Sequence, residues 1–252
     1  EVMRFGADMP TQHGDWGLET VNGMTWLVRA LNVDETRKSR ASTETEIYIQ
    51  RLLPVDALRI RGRHNALNAM AALALASSTG APLASMLYAL REYRGEPHRV
   101  ASIAVLQDIE YIDDSKGTNV GATVAAINSV GADRRIVLIL GGDGKDQDFS
   151  SLRVPIQQYV RSLVLIGKDA AELRQVLQGA GVPMHDAASL EDAVKLCRSL
   201  AQTGDAVLLS PACASFDMFK NYVHRGEVFA QAVQTLAQDL GIELDHLGGV
   251  QT

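Results

Sequence analysis

From Pro97 onward the sequence alternates short apolar runs with stretches of strong helix formers, and few folds accept that alternation. Runs at 100–106 and 109–113 read as a hairpin, 120–130 as a helix, and 135–140 as a buried strand that ends in Gly141-Gly142-Asp143-Gly144. Helical stretches at 151–159, 170–177, 190–201 and 221–237 then alternate with strand-like runs at 162–166 and 205–209. Strands joined by helices of this length are crossover units on a mostly parallel sheet covered on both faces, so the fold class is α/β with a Rossmann-like layering in this part. The upstream texture differs. Runs at 24–31 and 46–53 predict a hairpin or meander around a polar connection at 32–45. The stretch 64–76 predicts a helix buried on most sides and ended by Thr79-Gly80. A second helix is predicted over 82–93, with Pro82 in its first turn and Leu83, Met86, Leu87 and Leu90 on one stripe. Arg94-Gly95-Glu96-Pro97 separates the two textures, which predicts domains over 1–96 and 97–252 with a hinge at 96–99.

Composition narrows the function classes. A chain of 252 residues, 46% hydrophobic and 21% charged, can bury a full core, which excludes disordered, collagen-like and low-complexity classes. Its 24 Lys and Arg against 30 Asp and Glu leave a net charge of −6, with no basic block able to follow a phosphate backbone. Nucleic acid is therefore not an expected partner, whereas a small anion needs only a few local donors. The longest apolar stretch, 66–76, is broken by Asn68 and falls short of the roughly 20 residues a membrane span requires, so no membrane partner is expected. Without a secretory signal at its start the chain is expected in the cytoplasm. Cys197 and Cys213 are its two cysteines, neither in a spacing that zinc would use, and no metal ligands are expected.

In sheets of this class ligands gather beyond the carboxyl ends of the strands, which directs attention to 113–119, 141–146 and 210–222. Asp113-Asp114-Ser115-Lys116-Gly117-Thr118-Asn119 joins a strand to a helix. It is either a polar turn with Thr118 or Asn119 as the helix cap, or a site where Lys116, the Thr118 hydroxyl and free helix amides meet an anion while Asp114 serves a hydroxyl or amine. Gly141-Gly142-Asp143-Gly144-Lys145 can turn its amides into a concavity beside the Lys145 charge, or can be a plain glycine turn; it is not a P-loop signature. Ser210-Pro211-Ala212-Cys213-Ala214-Ser215-Phe216-Asp217 offers small residues at another strand end. Cys213 could be a nucleophile with His98 or His224 as base, but a buried thiol among alanines is favoured, and Cys197 sits on an apolar stripe. Asn65 and Asn68 share a helix face where two amides could read a purine edge, or could serve as a helix cap and a satisfied buried amide. Arg99, in Pro97-His98-Arg99, lies at the predicted boundary, where it could reach a phosphate or remain a surface arginine.

These five ordered segments, with His64-Asn65-Ala66-Leu67-Asn68-Ala69 as the first, together resemble the family of ATP-dependent Mur ligases of peptidoglycan synthesis. The Ser-Pro-Ala-Cys-Ala-Ser run and Asp-Ser-Lys-Gly-Thr-Asn resemble its D-glutamate-adding branch and speak against folylpolyglutamate synthase. The resemblance implies that 1–96 is the end of a central ATP-binding domain and 97–252 a carboxyl-terminal amino-acid-binding domain. It also implies that the P-loop, the magnesium ligands, a carbamylated lysine and a UDP-binding domain belong upstream of this chain, so the chain alone is expected to be inactive. The implied reaction phosphorylates the carboxylate of UDP-N-acetylmuramoyl-L-alanine with ATP and Mg2+, after which the D-glutamate amine attacks the acyl phosphate. By the same resemblance Lys145, Thr118, Ser215, Lys116 and Tyr222 hold D-glutamate. Asn65, Asn68, Arg99 and Asp114 meet the nucleotide, no residue here is catalytic in the bond-making sense, and the enzyme is a monomer. The competing reading is a non-catalytic module that binds an amino acid or nucleotide.

Overall fold

The computed structural model describes residues 2–32, 47–60 and 62–243, so most of the polar connection read at 32–45 lies outside the described residues. Contacts divide the chain into two compact units, Glu1–Gly95 and Glu96–Thr252.

The first unit carries a three-stranded antiparallel sheet, β1 (Trp16–Val21), β2 (Met24–Asn32) and β3 (Ile47–Pro54), in the order β1-β2-β3. β1 is absent from the sequence reading. Asn22-Gly23, both at positive φ (51° and 80°), makes the two-residue turn between β1 and β2 that an Asn-Gly pair favours, and this was the overlooked marker. Two helices follow, α1 (Arg63–Ser77) and α2 (Leu83–Glu92). Ala66, Ala69, Met70, Leu73 and Ala74 of α1 pack with Trp16, Leu18, Leu27 and Leu53, while Asn68, Ala72 and Leu75 are exposed. The expectation of a helix buried on most sides is thus corrected to burial along one stripe; a run of alanines is equally apolar on every side and does not reveal which side faces the core. Pro82 stands just outside α2 as its N-cap residue rather than in its first turn, and Met86, Leu87 and Leu90 face the core as the stripe predicts.

The second unit is α/β. β4 (Ala101–Leu106), β5 (Ile109–Asp113), β6 (Ile136–Gly141), β7 (Val160–Ile166), β8 (Met184–Asp186) and β9 (Ala206–Leu209) form one sheet in the order β4-β5-β9-β6-β7-β8. β4 pairs antiparallel with β5 at one edge, and all other neighbours are parallel. The short edge strand β8 was not read from the sequence, because three residues are too few to show alternation. The helices are α3 (Val120–Gly131), α4 (Arg153–Tyr159), α5 (Ala170–Leu177), α6 (Leu190–Leu200) and α7 (Tyr222–Asp239).

Alternate strand residues point to opposite faces. Ile136, Leu138 and Leu140 pack under α3, α4 and α5 with Ile127, Ile156 and Leu173. Val137 and Ile139 pack under α6 and α7 with Val194, Cys197, Phe229 and Val233. A sheet covered on both sides must be apolar on both sides, which explains the uninterrupted hydrophobic run of β6. Leu138 is fully buried at the centre of one face. Leu138→Ala is expected to destabilise this unit by about 2–5 kcal/mol, whereas Val154→Ser on the exposed side of α4 should shift stability by less than about 0.5 kcal/mol. Urea unfolding of the two variants measures the contrast.

Candidate functional site

The loops after β5 and β6 lead into α3 and α4 on one face of the sheet, while the loop after β9, lying between them, leads toward α7 on the other. Chains that part to opposite faces leave a crevice at the strand ends. The 113–119, 141–147 and 210–217 segments line it.

Hydrogen bonds lock the three loops together. The Gly141 amide donates to the Pro211 carbonyl, and Asp143 and Ala214 exchange backbone bonds of 3.0 and 2.8 Å as a small antiparallel bridge. The Ala212 amide donates to the Gly117 carbonyl, and the Ser210 hydroxyl donates to Asp114 Oδ2 at 2.6 Å. Gln147 reaches across all three: its Nε2 donates to the Gly144 and Ala212 carbonyls, and its Oε1 accepts from the Val120 amide. A Cβ on Gly142 would overlap the Ala214 carbonyl, and its φ of 129° is unfavourable for any other residue, so this close approach needs glycine.

This network takes up part of the loop backbone that could have formed anion cradles. In the glycine loop the Gly144 amide is taken by Asp169 Oδ2 and the Lys145 amide by Asp143 Oδ1. At the start of α3 the Asn119 side chain caps the Ala122 amide, so Asn119 and not Thr118 is the cap residue. Lys116 Nζ lies 3.9 Å from the centre of the Tyr222 ring, and the exposed Lys145 holds its Nζ 5.7 Å from the Phe216 ring. Ser215 is buried, its carbonyl accepting from the Met218 and Phe219 amides. It does not cap the next helix; Asn221 does, accepting from the His224 amide at 2.8 Å.

Asp114 is buried, and burial pushes its carboxyl up to about 7; the Ser210 hydroxyl and the Val100 amide oppose the rise, Asp113 adds to it and Arg99 opposes it. Arg99 itself is exposed. His98 Nδ1 meets Asp113 Oδ2 at 2.7 Å, a bond that raises the imidazole above its ordinary value against the effect of burial. Burial pushes the Cys213 thiol up to about 12, which keeps it protonated at neutral pH, as befits a core thiol rather than a nucleophile. Cys197 is likewise a core residue.

In the first unit Asn68 Nδ2 donates to Asn65 Oδ1 at 3.3 Å, so the two amides do share a face. Asn68 also borders an apolar groove of about 470 Å³ between α1 and α2, lined by Ala72, Leu73, Met86, Leu90 and Tyr93 among others.

A family model for the Mur ligase glutamate ligase domain matches residues 98–213. The chain is 62% identical over 240 residues to a UDP-N-acetylmuramoylalanine–D-glutamate ligase of Polaromonas sp. strain JS666, covering 95% of this chain and 41% of that protein. It is 53% identical over 252 residues to the enzyme of the same name from Burkholderia mallei, covering 96% of this chain and 50% of that protein. Residues 98–213 thus belong to the Mur ligase family. It spans about half the length of the relatives it matches. Among solved structures, UDP-N-acetylmuramate–alanine ligase MurC from Thermotoga maritima shares the fold with a TM-score of 0.61 at 20% identity, covering 92% of this chain and 48% of that one. MurF from Acinetobacter baumannii aligns with a TM-score of 0.57 at 17% identity, covering 90% and 46%.

The sequence reading missed Arg225 and Gln147 in this chain. Arg225 left a signal: it occupies a position of the apolar stripe Arg225, Phe229, Ala232, Val233 and Leu236 on α7, where a charge has no reason to stand without buried partners. Gln147, a lone amide in a loop, left none.

Asp114 sets a pH dependence. Its folded pKa lies above the ordinary 3.8, so its contribution is complete below that value and is lost as pH rises toward about 7. Relative to Asp114→Asn, the unsubstituted protein is expected to lose on the order of 2–4 kcal/mol between about pH 4 and pH 7 and to change little above, as measured by urea unfolding of both across that range.

Proposed function

We propose that this chain is the nucleotide- and amino-acid-positioning half of an ATP-dependent ligase that adds D-glutamate to UDP-N-acetylmuramoyl-L-alanine. The observation that carries the reading is the set of three interlocked strand-end loops, which carry Lys116, Lys145 and Ser215, with Lys116 Nζ 3.9 Å from the centre of the Tyr222 ring. High identity to relatives named for this reaction supports it. D-Glutamate is a dianion with one nucleophilic amine, so it needs two carboxylate clamps and an amine left free to attack. Lys145 and the Thr118 hydroxyl, which is not the helix cap, form one clamp; Ser215 with the start of α7 at Tyr222 forms the other, with Lys116 beside it. The Val120, Ala122, Gly144 and Lys145 amides are bonded to protein groups, so these side chains supply the charge that meets the dianion.

In the reaction the first substrate's carboxylate takes the terminal phosphoryl group of ATP, the D-glutamate amine adds to the acyl phosphate, and the tetrahedral intermediate expels phosphate. Residues of this chain make and break none of these bonds. They hold the amine at attack distance, and such orientation can lower a barrier by about 7–11 kcal/mol in favourable cases. The Asn65–Asn68 amide pair beside the apolar groove suits an adenine edge, and Arg99 and Asp114 suit the phosphates and ribose. At neutral pH Asp114 is poised between acid and carboxylate, able to donate to or accept from a hydroxyl. Among the described residues no group of three or more His, Cys, Asp or Glu side chains converges as metal ligands would. No described helix is long and apolar enough to cross a membrane. A cytoplasmic monomer remains the expectation for the whole enzyme.

The test uses the full-length enzyme that contains this chain, with ADP release followed at varied D-glutamate and ATP. Lys145→Ala is expected to raise the KM for D-glutamate by at least tenfold, about the loss of one charge-assisted bond, with the KM for ATP changed far less; equal losses would move Lys145 to the nucleotide. Cys213→Ala should retain most turnover. A loss of about 1000-fold in a folded Cys213→Ala enzyme would instead mark a thiol nucleophile and reject the acyl-phosphate route.

A further inference from the structure

Arg225 is completely buried, and it heads the described residues in size among side chains with so little exposure. Its guanidinium donates from Nε to Ser115 Oγ at 3.0 Å, from Nη2 to the Ser115 carbonyl at 2.9 Å and from Nη1 to the Cys213 carbonyl at 3.1 Å. The acceptors are two carbonyls and a hydroxyl, none of them a carboxylate. A buried guanidinium is strongly unfavourable unless its donors are met, and an apolar side chain would fill the same space more cheaply. Burial brings its pKa down to about 10, so it stays charged at neutral pH.

What the fork gains is geometry. Ser115 lies in the loop after β5, Cys213 in the loop after β9, and Arg225 in the first turn of α7. Ser115 Oγ also donates to the Tyr222 carbonyl at 2.7 Å, closing a ring of contacts from Arg225 through Ser115 back to its own helix one turn earlier. Each residue so gripped neighbours a proposed ligand contact: Lys116 follows Ser115, Ser215 stands two positions beyond Cys213, and Tyr222 carries the ring that faces Lys116. The next residue, Gly226, fits against the His98–Asp113 pair so closely that a Cβ there would overlap the His98 ring, which seats the same turn of α7 from its other side.

We propose that Arg225 is a positioning residue for the D-glutamate site, fixing the separation of the 113–119 loop, the 210–217 loop and the start of α7 so that Lys116, Ser215 and Tyr222 address one ligand. The inference rests on the D-glutamate reading above. A lysine retains the charge but cannot reach three acceptors with a planar fork, so charge and geometry can be separated.

The experiment measures Arg225→Lys and Ser115→Ala in the full-length enzyme, with folding followed by thermal melting. Arg225→Lys is expected to raise the KM for D-glutamate about tenfold or more while the KM for ATP stays within about twofold, because displaced loops lose their alignment on the amino acid alone. Ser115→Ala leaves the arginine in place, removes one acceptor and the bond to Tyr222, and should raise the D-glutamate KM about threefold, the size of one neutral hydrogen bond. An unchanged D-glutamate KM in either folded variant, or equal rises for both substrates, overturns the proposal. Should Arg225→Lys fail to fold, Ser115→Ala decides by the same criterion. Unsubstituted enzyme that releases ADP with another amino acid and not with D-glutamate would reject the D-glutamate reading; the same comparison made with that amino acid then decides the role of Arg225.

Discussion

The place of β9 between β5 and β6 is the constraint on which the candidate site depends. The chain leaves β5 through α3, skips one position to β6, runs outward to β8 and returns through α6 to fill the gap. Three loops far apart in sequence thereby end side by side. The middle one departs to the opposite face of the sheet from its neighbours, and the crevice follows from that parting of chains. Sequence neighbours could not have produced it, since the three segments are separated by whole crossover units.

Once adjacent, the loops satisfy one another's polar groups. Asp143 pairs with Ala214, Gln147 ties Gly144 to Ala212 and Val120, and Asp169 takes the Gly144 amide. Buried backbone groups must find partners, and here they find them within the protein rather than keeping them for a ligand. For the proposed D-glutamate site the chemistry differs accordingly. A backbone nest would offer fixed dipoles of modest selectivity, whereas lysines and hydroxyls at defined places can distinguish a dianion from a monoanion by the number of charges they meet.

Two buried ionisable groups stand behind the crevice, and they behave differently. Asp114 can shed its charge, and burial has moved its titration up to about 7. Arg225 cannot shed its charge at neutral pH, so its burial is tolerable only because three acceptors are held against it. An adaptable group thus sits between the Val100 amide and the Ser210 hydroxyl, and a fixed one ties two of the loops to α7 from within.

The sequence by itself determined the layering and the candidate residues. The unbroken apolar run of β6 belongs to a sheet covered on both faces, helix formers between strands set the crossovers, and glycine or small residues at strand ends marked all three loops. Those signals are local, carried by periodicity and by the conformational limits of single residues. Weak or short signals were lost: β1 alternates poorly despite its Asn-Gly turn, β8 has three residues, and the alanines of α1 do not tell which side is buried. Tertiary structure alone decided which loop amides are free, that Asn119 and Asn221 are the caps, and that Arg225 grips Ser115 and Cys213, residues 110 and 12 positions away in the chain. A hydrogen-bond partner is fixed by where the chain returns, and no pattern of spacing along the sequence encodes that return.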